Sequence, residues 1–200
     1  MIFMKKLSLE QGKELIELAR KSIKYFFASG KVLKEIAPEK FSEKQGVFVT
    51  LHEFPSNELR GCIGFTTPIM PLWNTVIEAA FSAGFKDPRF NQLKLDEMDK
   101  VIVEITVLTV PEEITGEKKE LPEKIEIGKD GLIMKMNGFS GLLLPQVSKE
   151  WQWTPKEFLE QTCVKAGLEK EDWKRKECKV FKFQGQIFKE DKPKGKVIES

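Results

Sequence analysis

Residues 101 to 110, VIVEITVLTV, are β-branched almost throughout and apolar at both odd and even positions. A strand with one wet face alternates; a run that is apolar on both parities has to be covered on both faces. The segment therefore predicts a central strand with other strands beside it and side chains packed above and below. Around it, helical and strand patterns are interspersed without a regular βαβ rhythm. The expected class is thus α+β, a mixed or antiparallel sheet flanked by helices, arranged as two lobes sharing a core.

Ser8 and Gln11 form a capping-box signature. Leu15, Leu18, Ala19, Ile23 and Phe26 then recur at helical spacing until Gly30 offers a stop. GVFVTLHEF and LRGCIGF flank the turn-forming PSNE and predict a β-hairpin. PLWNTVIEAAFSAGF reads as a second, buried helix, followed by the loop KDPRF. IEIG and GLIMKMNGFSGLLLP predict short strands around an Asn137-Gly138 turn. Thr154, Pro155 and Glu157 cap a third helix that ends near Gly167. CKVFKFQGQIF predicts one last strand before a charged tail. A single domain over 1–190 with a frayed tail over 191–200 is the expected organisation.

The hairpin carries the chemistry. Val47, Val49 and Leu51 with Leu59, Ile63 and Phe65 form one apolar face, so Thr50, His52 and Phe54 share the other with Arg60, Cys62 and Gly64. One register satisfying this sets His52 directly opposite Cys62. A thiol beside an imidazole and a guanidinium is a candidate nucleophile or redox thiol, with His52 as its base. Read plainly, Cys62 is a small buried residue, and Gly61 and Gly64 leave room for a helix or a ligand. Between these lies a ligand-binding wall of Arg60, Gly61 and Gly64, with Asp87 and Arg89 of KDPRF and Gln146 of LLLPQV as contributors. Trp151 and Trp153 are expected in the core.

Thirty-three basic and 31 acidic residues leave a net charge of +2, which gives no general reason to expect nucleic acid or an anionic membrane. A local basic stretch, Lys165, Lys170, Lys174, Arg175, Lys176, Lys179 and Lys182, lies near Trp173, Phe181 and Phe183 and keeps an RNA-binding alternative open. No apolar run approaches the ~20 residues of a membrane span, and the first eight residues lack a signal-peptide pattern, so the expected setting is the cytoplasm. Three cysteines and one histidine fit neither a disulfide framework nor a zinc motif, and reduced thiols are expected. Without a dinucleotide fingerprint or a phosphate loop, no cofactor or metal is expected.

LRGCIGF, DPRF, LLPQV and the following W…FL…C.KAGL occur in the order seen in the AMMECR family, named after the Alport syndrome, mental retardation, midface hypoplasia and elliptocytosis chromosomal region. The chain resembles that family over nearly its whole length. Gly84 departs from the alanine expected there, which bears on helix packing. The resemblance implies a two-lobed α+β architecture and association with a Memo-like protein and a radical S-adenosylmethionine enzyme, while fixing no reaction. The CxxxCxxC motif of an iron–sulfur cluster is absent, so radical chemistry would belong to a partner.

Overall fold

The computed structural model describes residues 6–199. The chain divides into two units: one holds the residues up to Leu108 and those from Gln186 onward, the other Thr109–Gly185. The sequence reading placed two lobes around a shared core; the buried apolar side chains form two clusters, one in each unit.

In the first unit, α1 (Leu9–Ser29) begins at the Ser8–Gln11 capping box and ends at Gly30, whose φ of 66° is the left-handed value a C-terminal glycine supplies. The strands are β1 (Val47–Glu53), β2 (Leu59–Phe65), β3 (Val101–Leu108), β8 (Gly185–Glu190) and β9 (Val197–Glu199), in the order β2-β1-β3-β8-β9. The first eight residues of the run at 101–110 thus occupy the middle of the sheet, as their two-sided apolarity requires, and the strand ends at Leu108. β1 pairs antiparallel with both β2 and β3, setting Val49 between Ile63 and Ile105 and Leu51 between Gly61 and Val103. Val47, Val49, Leu51, Val103, Ile105 and Val107 are fully buried on this face, each contributing about 1.5–3 kcal/mol of apolar burial.

The face is covered by α1 and by α2 (Leu72–Phe85), which meet through Phe26, whose ring centroid lies 4.8 Å from that of Phe81 and 4.4 Å from that of Phe85. Gly61 is what lets α2 come down: a Cβ there would sit 2.3 Å from the carbonyl oxygen of Ala83. Gly64 makes room instead for the ring of Phe48 on the opposite face, 2.2 Å from where its Cβ would lie. At the other end of the sheet Arg20 of α1 donates from Nε and Nη2 to Glu190 of β8, each at 2.6 Å, and from Nη1 and Nη2 to the carbonyls of Met98 and Val101.

The second unit contains β4 (Glu112–Glu113), β5 (Gly131–Met136), β6 (Phe139–Leu143) and β7 (Lys179–Phe183), ordered β4-β7-β5-β6, with the helices α3 (Pro145–Glu150) and α4 (Pro155–Lys165). The Asn137-Gly138 turn joins β5 to β6, with φ of 50° and 84°. Thr154 and Glu157 cap α4 reciprocally.

Four expectations are corrected. Ile125–Gly128 is a turn, because Asp130 accepts the Glu126 N–H at 2.9 Å and donates its own N–H back to the Glu126 carbonyl. The segment 178–188 is two strands in different sheets: Gln184 separates β7 from β8, its peptide groups taken by Thr109. The tail is ordered as far as Glu199, since β9 pairs with β8 and Val197 is buried. Trp151 is 66 % exposed and stacks on half-buried Trp153, with centroids 6.1 Å apart, so it lies outside the core.

Two glycine substitutions in the same neighbourhood should act oppositely. Gly61→Ala should destabilise by about 1–3 kcal/mol, since backbone cannot yield as a flexible side chain does. Gly84→Ala, whose Cβ would meet Leu93 at an ordinary 3.8 Å inside α2, should stabilise by about 0.5–1 kcal/mol. Urea unfolding of both variants checks this; a neutral Gly61→Ala would mean that α2 does not sit on β2 as described.

Candidate functional site

Among the described residues β2 is an edge strand, with β1 on one side and no strand on the other. An edge leaves peptide groups without a ladder partner, and at Cys62 they are taken by the loop after α2. Asp87 Oδ2 accepts the Cys62 N–H at 2.8 Å, and Arg89 Nη2 donates to the Cys62 carbonyl at 3.3 Å. The two loop residues hold each other: Arg89 Nε and Nη2 donate to the two Asp87 oxygens at 3.0 and 2.7 Å, and the Arg89 N–H donates to Oδ1 at 3.1 Å. Asp87 and Arg89 thus form a side-chain bracket around one residue of the LRGCIG strand. The bonds from Arg89 keep the Asp87 carboxyl far below the usual carboxylate range despite its burial. Asp87 is 5 % exposed, whereas the Arg89 side chain is 55 % exposed and its Nη1 makes no bond to a described residue.

The register differs from the expected one. Thr50, not His52, stands opposite Cys62, and His52 faces Leu59 because a bulge at Arg60 interrupts the pairing. The same bulge carries Leu59 off the core face, leaving it 38 % exposed. Thr50 Oγ1 donates to the Cys62 sulfur at 3.3 Å. Across β1, Thr50 is also the partner of Glu104 on β3, and Lys189 Nζ of β8 lies 3.5 Å from the Glu104 carboxylate. Cys62, Thr50, Glu104 and Lys189 therefore form a polar row across four strands, on the face away from the helices. The sequence offered no signal for Glu104 or Lys189, because β3 and β8 are brought together only by the tertiary fold.

His52 lies on this face, two residues along β1 from Thr50. Its Nε2 is 3.4 Å from Glu104 Oε2 without hydrogen-bond alignment, and both ring nitrogens are buried with no partner among the described residues. Burial works against the charge on Glu104, but His52 and Lys189 outweigh it and hold the carboxyl below its ordinary value. The Cys62 thiol is pushed up, chiefly by burial; Thr50 and Arg89 favour the thiolate, while Asp87 and Glu104 oppose it. Burial thus works against the thiolate that the nucleophile reading requires, and agrees with the plain reading of Cys62 as a small packed residue.

Arg60 is not beside Cys62. Its guanidinium is buried in a bidentate pair with Glu97, at 2.7 and 3.0 Å, and donates from Nη1 to the Asn91 carbonyl at 3.1 Å. It ties β2 to the segment before β3. Gly61 is filled from above by α2, and Gly64 by Phe48. Gln146 belongs to the other unit, exposed in the first turn of α3 and without a side-chain hydrogen bond. The Lys165–Lys182 stretch is interleaved with acids: Lys174 pairs with Glu171, Arg175 with Asp172, Lys179 with Glu113 and Lys182 with Asp130. Trp173 and Phe183 are buried, so neither offers a stacking face.

The AMMECR1 family model matches residues 16–188, a span that includes every residue of this site except Lys189. The chain belongs to the AMMECR1 family. A protein of Aquifex aeolicus is 50 % identical over 187 residues, covering 92 % of this chain and 95 % of that one. Protein MJ0810 of Methanocaldococcus jannaschii is 48 % identical over 197 residues, covering 98 % of each. The crystal structure of uncharacterized protein PH0010 from Pyrococcus horikoshii superposes with a TM-score of 0.84 at 46 % identity, covering 96 % of this chain and 97 % of that one. In this AMMECR1-family chain the bracket thus sits in a fold shared with a solved relative. Among the described residues no helix is long and apolar enough to cross a membrane, and no cluster of three or more histidine, cysteine or acidic side chains suits a metal.

The depressed carboxyl of Asp87 gives a pH signature. A group whose folded pKa lies below its unfolded value stabilises fully above the unfolded value and loses that contribution as pH falls below it. Asp87→Ala should cost about 1–3 kcal/mol at pH 7 by leaving the Cys62 N–H unpaired, and the gap to wild type should narrow once pH drops below about 4. Denaturant titrations at pH 7 and pH 3 test this; a gap independent of pH would show that the bracket is not ionic.

Proposed function

We propose that this protein is a binding or accessory component, working in the cytoplasm beside a Memo-like protein and a radical S-adenosylmethionine enzyme, and that partners or a small ligand are recognised at the Cys62 edge. The observation that carries the reading is the Asp87–Arg89 bracket. It uses a buried carboxylate and a half-exposed guanidinium to fix the shape of one strand residue and leaves Arg89 Nη1 without a bond to a described residue. An arginine already immobilised loses little freedom on meeting a partner, which is what recognition favours. Free thiols at Cys62, Cys163 and Cys178 suit a reducing compartment.

The enzyme reading has less behind it: Cys62 as nucleophile needs a thiolate that burial disfavours and a base that the register sets opposite Leu59. The RNA reading has less behind it too: of its three aromatic residues Trp173 and Phe183 lie in the interior, and half-buried Phe181 is left.

Two measurements test the proposal. Titration of a purified Memo-like protein into this chain should give saturable binding, weakened roughly tenfold or more by Arg89→Ala in a protein whose circular dichroism is unchanged. Absence of binding, or an indifferent Arg89→Ala, would sink the reading. Alkylation of Cys62 by iodoacetamide should rise only above the pH at which a free thiol reacts; a rate already on its plateau at pH 7 would restore the enzyme reading.

A further inference from the structure

On the first unit, away from the Cys62 edge, the segment after α1 and the start of α2 enclose a groove of about 350 Å³. Its floor is apolar: Leu33 and Ile77 are 8 % and 2 % exposed, and Met70 and Pro71 complete it. One wall is held rigid. Glu35 accepts from Trp73 Nε1 at 3.2 Å, its carbonyl accepts from Asn74 Nδ2 at 2.9 Å, and Lys21 pairs with its other oxygen. Beside this wall stands Ile36, 95 % exposed, next in sequence to Glu35 of the lining, and Ile69, next in sequence to Met70 of the floor, is 62 % exposed. A knob and a hole of the same apolar character therefore lie side by side on one surface.

Three charged residues line the groove, and of these Glu35 is already paired with Lys21. Lys34 and Glu78 both line the groove, and neither makes an ion pair or hydrogen bond with a described residue, although Glu78 is half-buried. A cation and an anion left unpaired on one patch, together with a knob next to its own kind of hole, make the patch complementary to itself. That is the requirement of a two-fold interface, in which residue i of one copy meets residue j of the other and the reverse.

We propose that this groove is the interface of a homodimer, with Ile36 of each copy seated in the groove of its partner and Lys34 of each copy paired with the partner's Glu78. Burying Ile36 and Ile69 removes the two most exposed apolar side chains of this region from water. The two reciprocal ion pairs set the register of the copies.

Sedimentation equilibrium of the full chain over micromolar to millimolar concentrations tests this. Wild type is expected as a reversible dimer and Ile36→Asp as a monomer with an unchanged melting temperature. Lys34→Glu and Glu78→Lys should each weaken association about tenfold, equivalent to ~1.4 kcal/mol, and the double variant should recover it. A wild-type monomer throughout overturns the proposal, as does a dimer indifferent to Ile36→Asp. Single charge variants that weaken association without recovery in the double variant overturn the pairing of Lys34 with Glu78.

Discussion

The first unit depends on a buried ion pair. Arg20 and Glu190 come from elements separated by most of the chain, and between them they satisfy the guanidinium, both carboxylate oxygens, the carbonyls of Met98 and Val101 and the N–H of Val103. Removing either partner would strand a charge in the interior, which is far costlier than the pair itself is stabilising. Its value lies in position. α1, the start of β3 and the end of β8 meet at one point, so the strand that returns after Gly185 has a defined place beside the centre of the sheet. β1 and β2 are then laid down outward from β3, and the Cys62 edge inherits its position from that order.

A second arginine shapes that edge. Arg60 sits at the bulge and is drawn to Glu97 and the Asn91 carbonyl rather than to the Cys62 face. A buried guanidinium calls for a carboxylate and a carbonyl in fixed places, and a bulge re-aims the side chain to reach them. The consequence is chemical. With Arg60 occupied elsewhere and His52 two residues along β1 from the partner of Cys62, the thiol keeps only Thr50 and Arg89 to favour its charge, and burial prevails.

Much of this was legible in residue order. The capping boxes at Ser8 and Thr154, the glycine stop at Gly30, the hairpin and the central strand all follow from local propensity and periodicity, which act over a few residues. The face assignment of Val47, Val49 and Leu51 held for the same reason. Where reading stopped at a strand, as at 178–188, nothing local marks Gln184 as the point where the chain leaves one sheet for another; its bonds to Thr109 exist only once both passages lie together.

By itself the sequence determined that helices and strands would alternate irregularly, that the run 101–110 would supply a central strand, that LRGCIG would be a strand with glycines as spacers, and that the chain resembles the AMMECR family. Only the tertiary structure decided which spacer faces a helix, which residue stands opposite Cys62, and which charges attend it. Periodicity specifies the side of a strand but not its partner, because shifting an antiparallel pairing by two residues preserves every face. A bulge, a bracket from a loop and a carboxylate from a neighbouring strand chose among those registers, and such contacts exist only when the chain is folded.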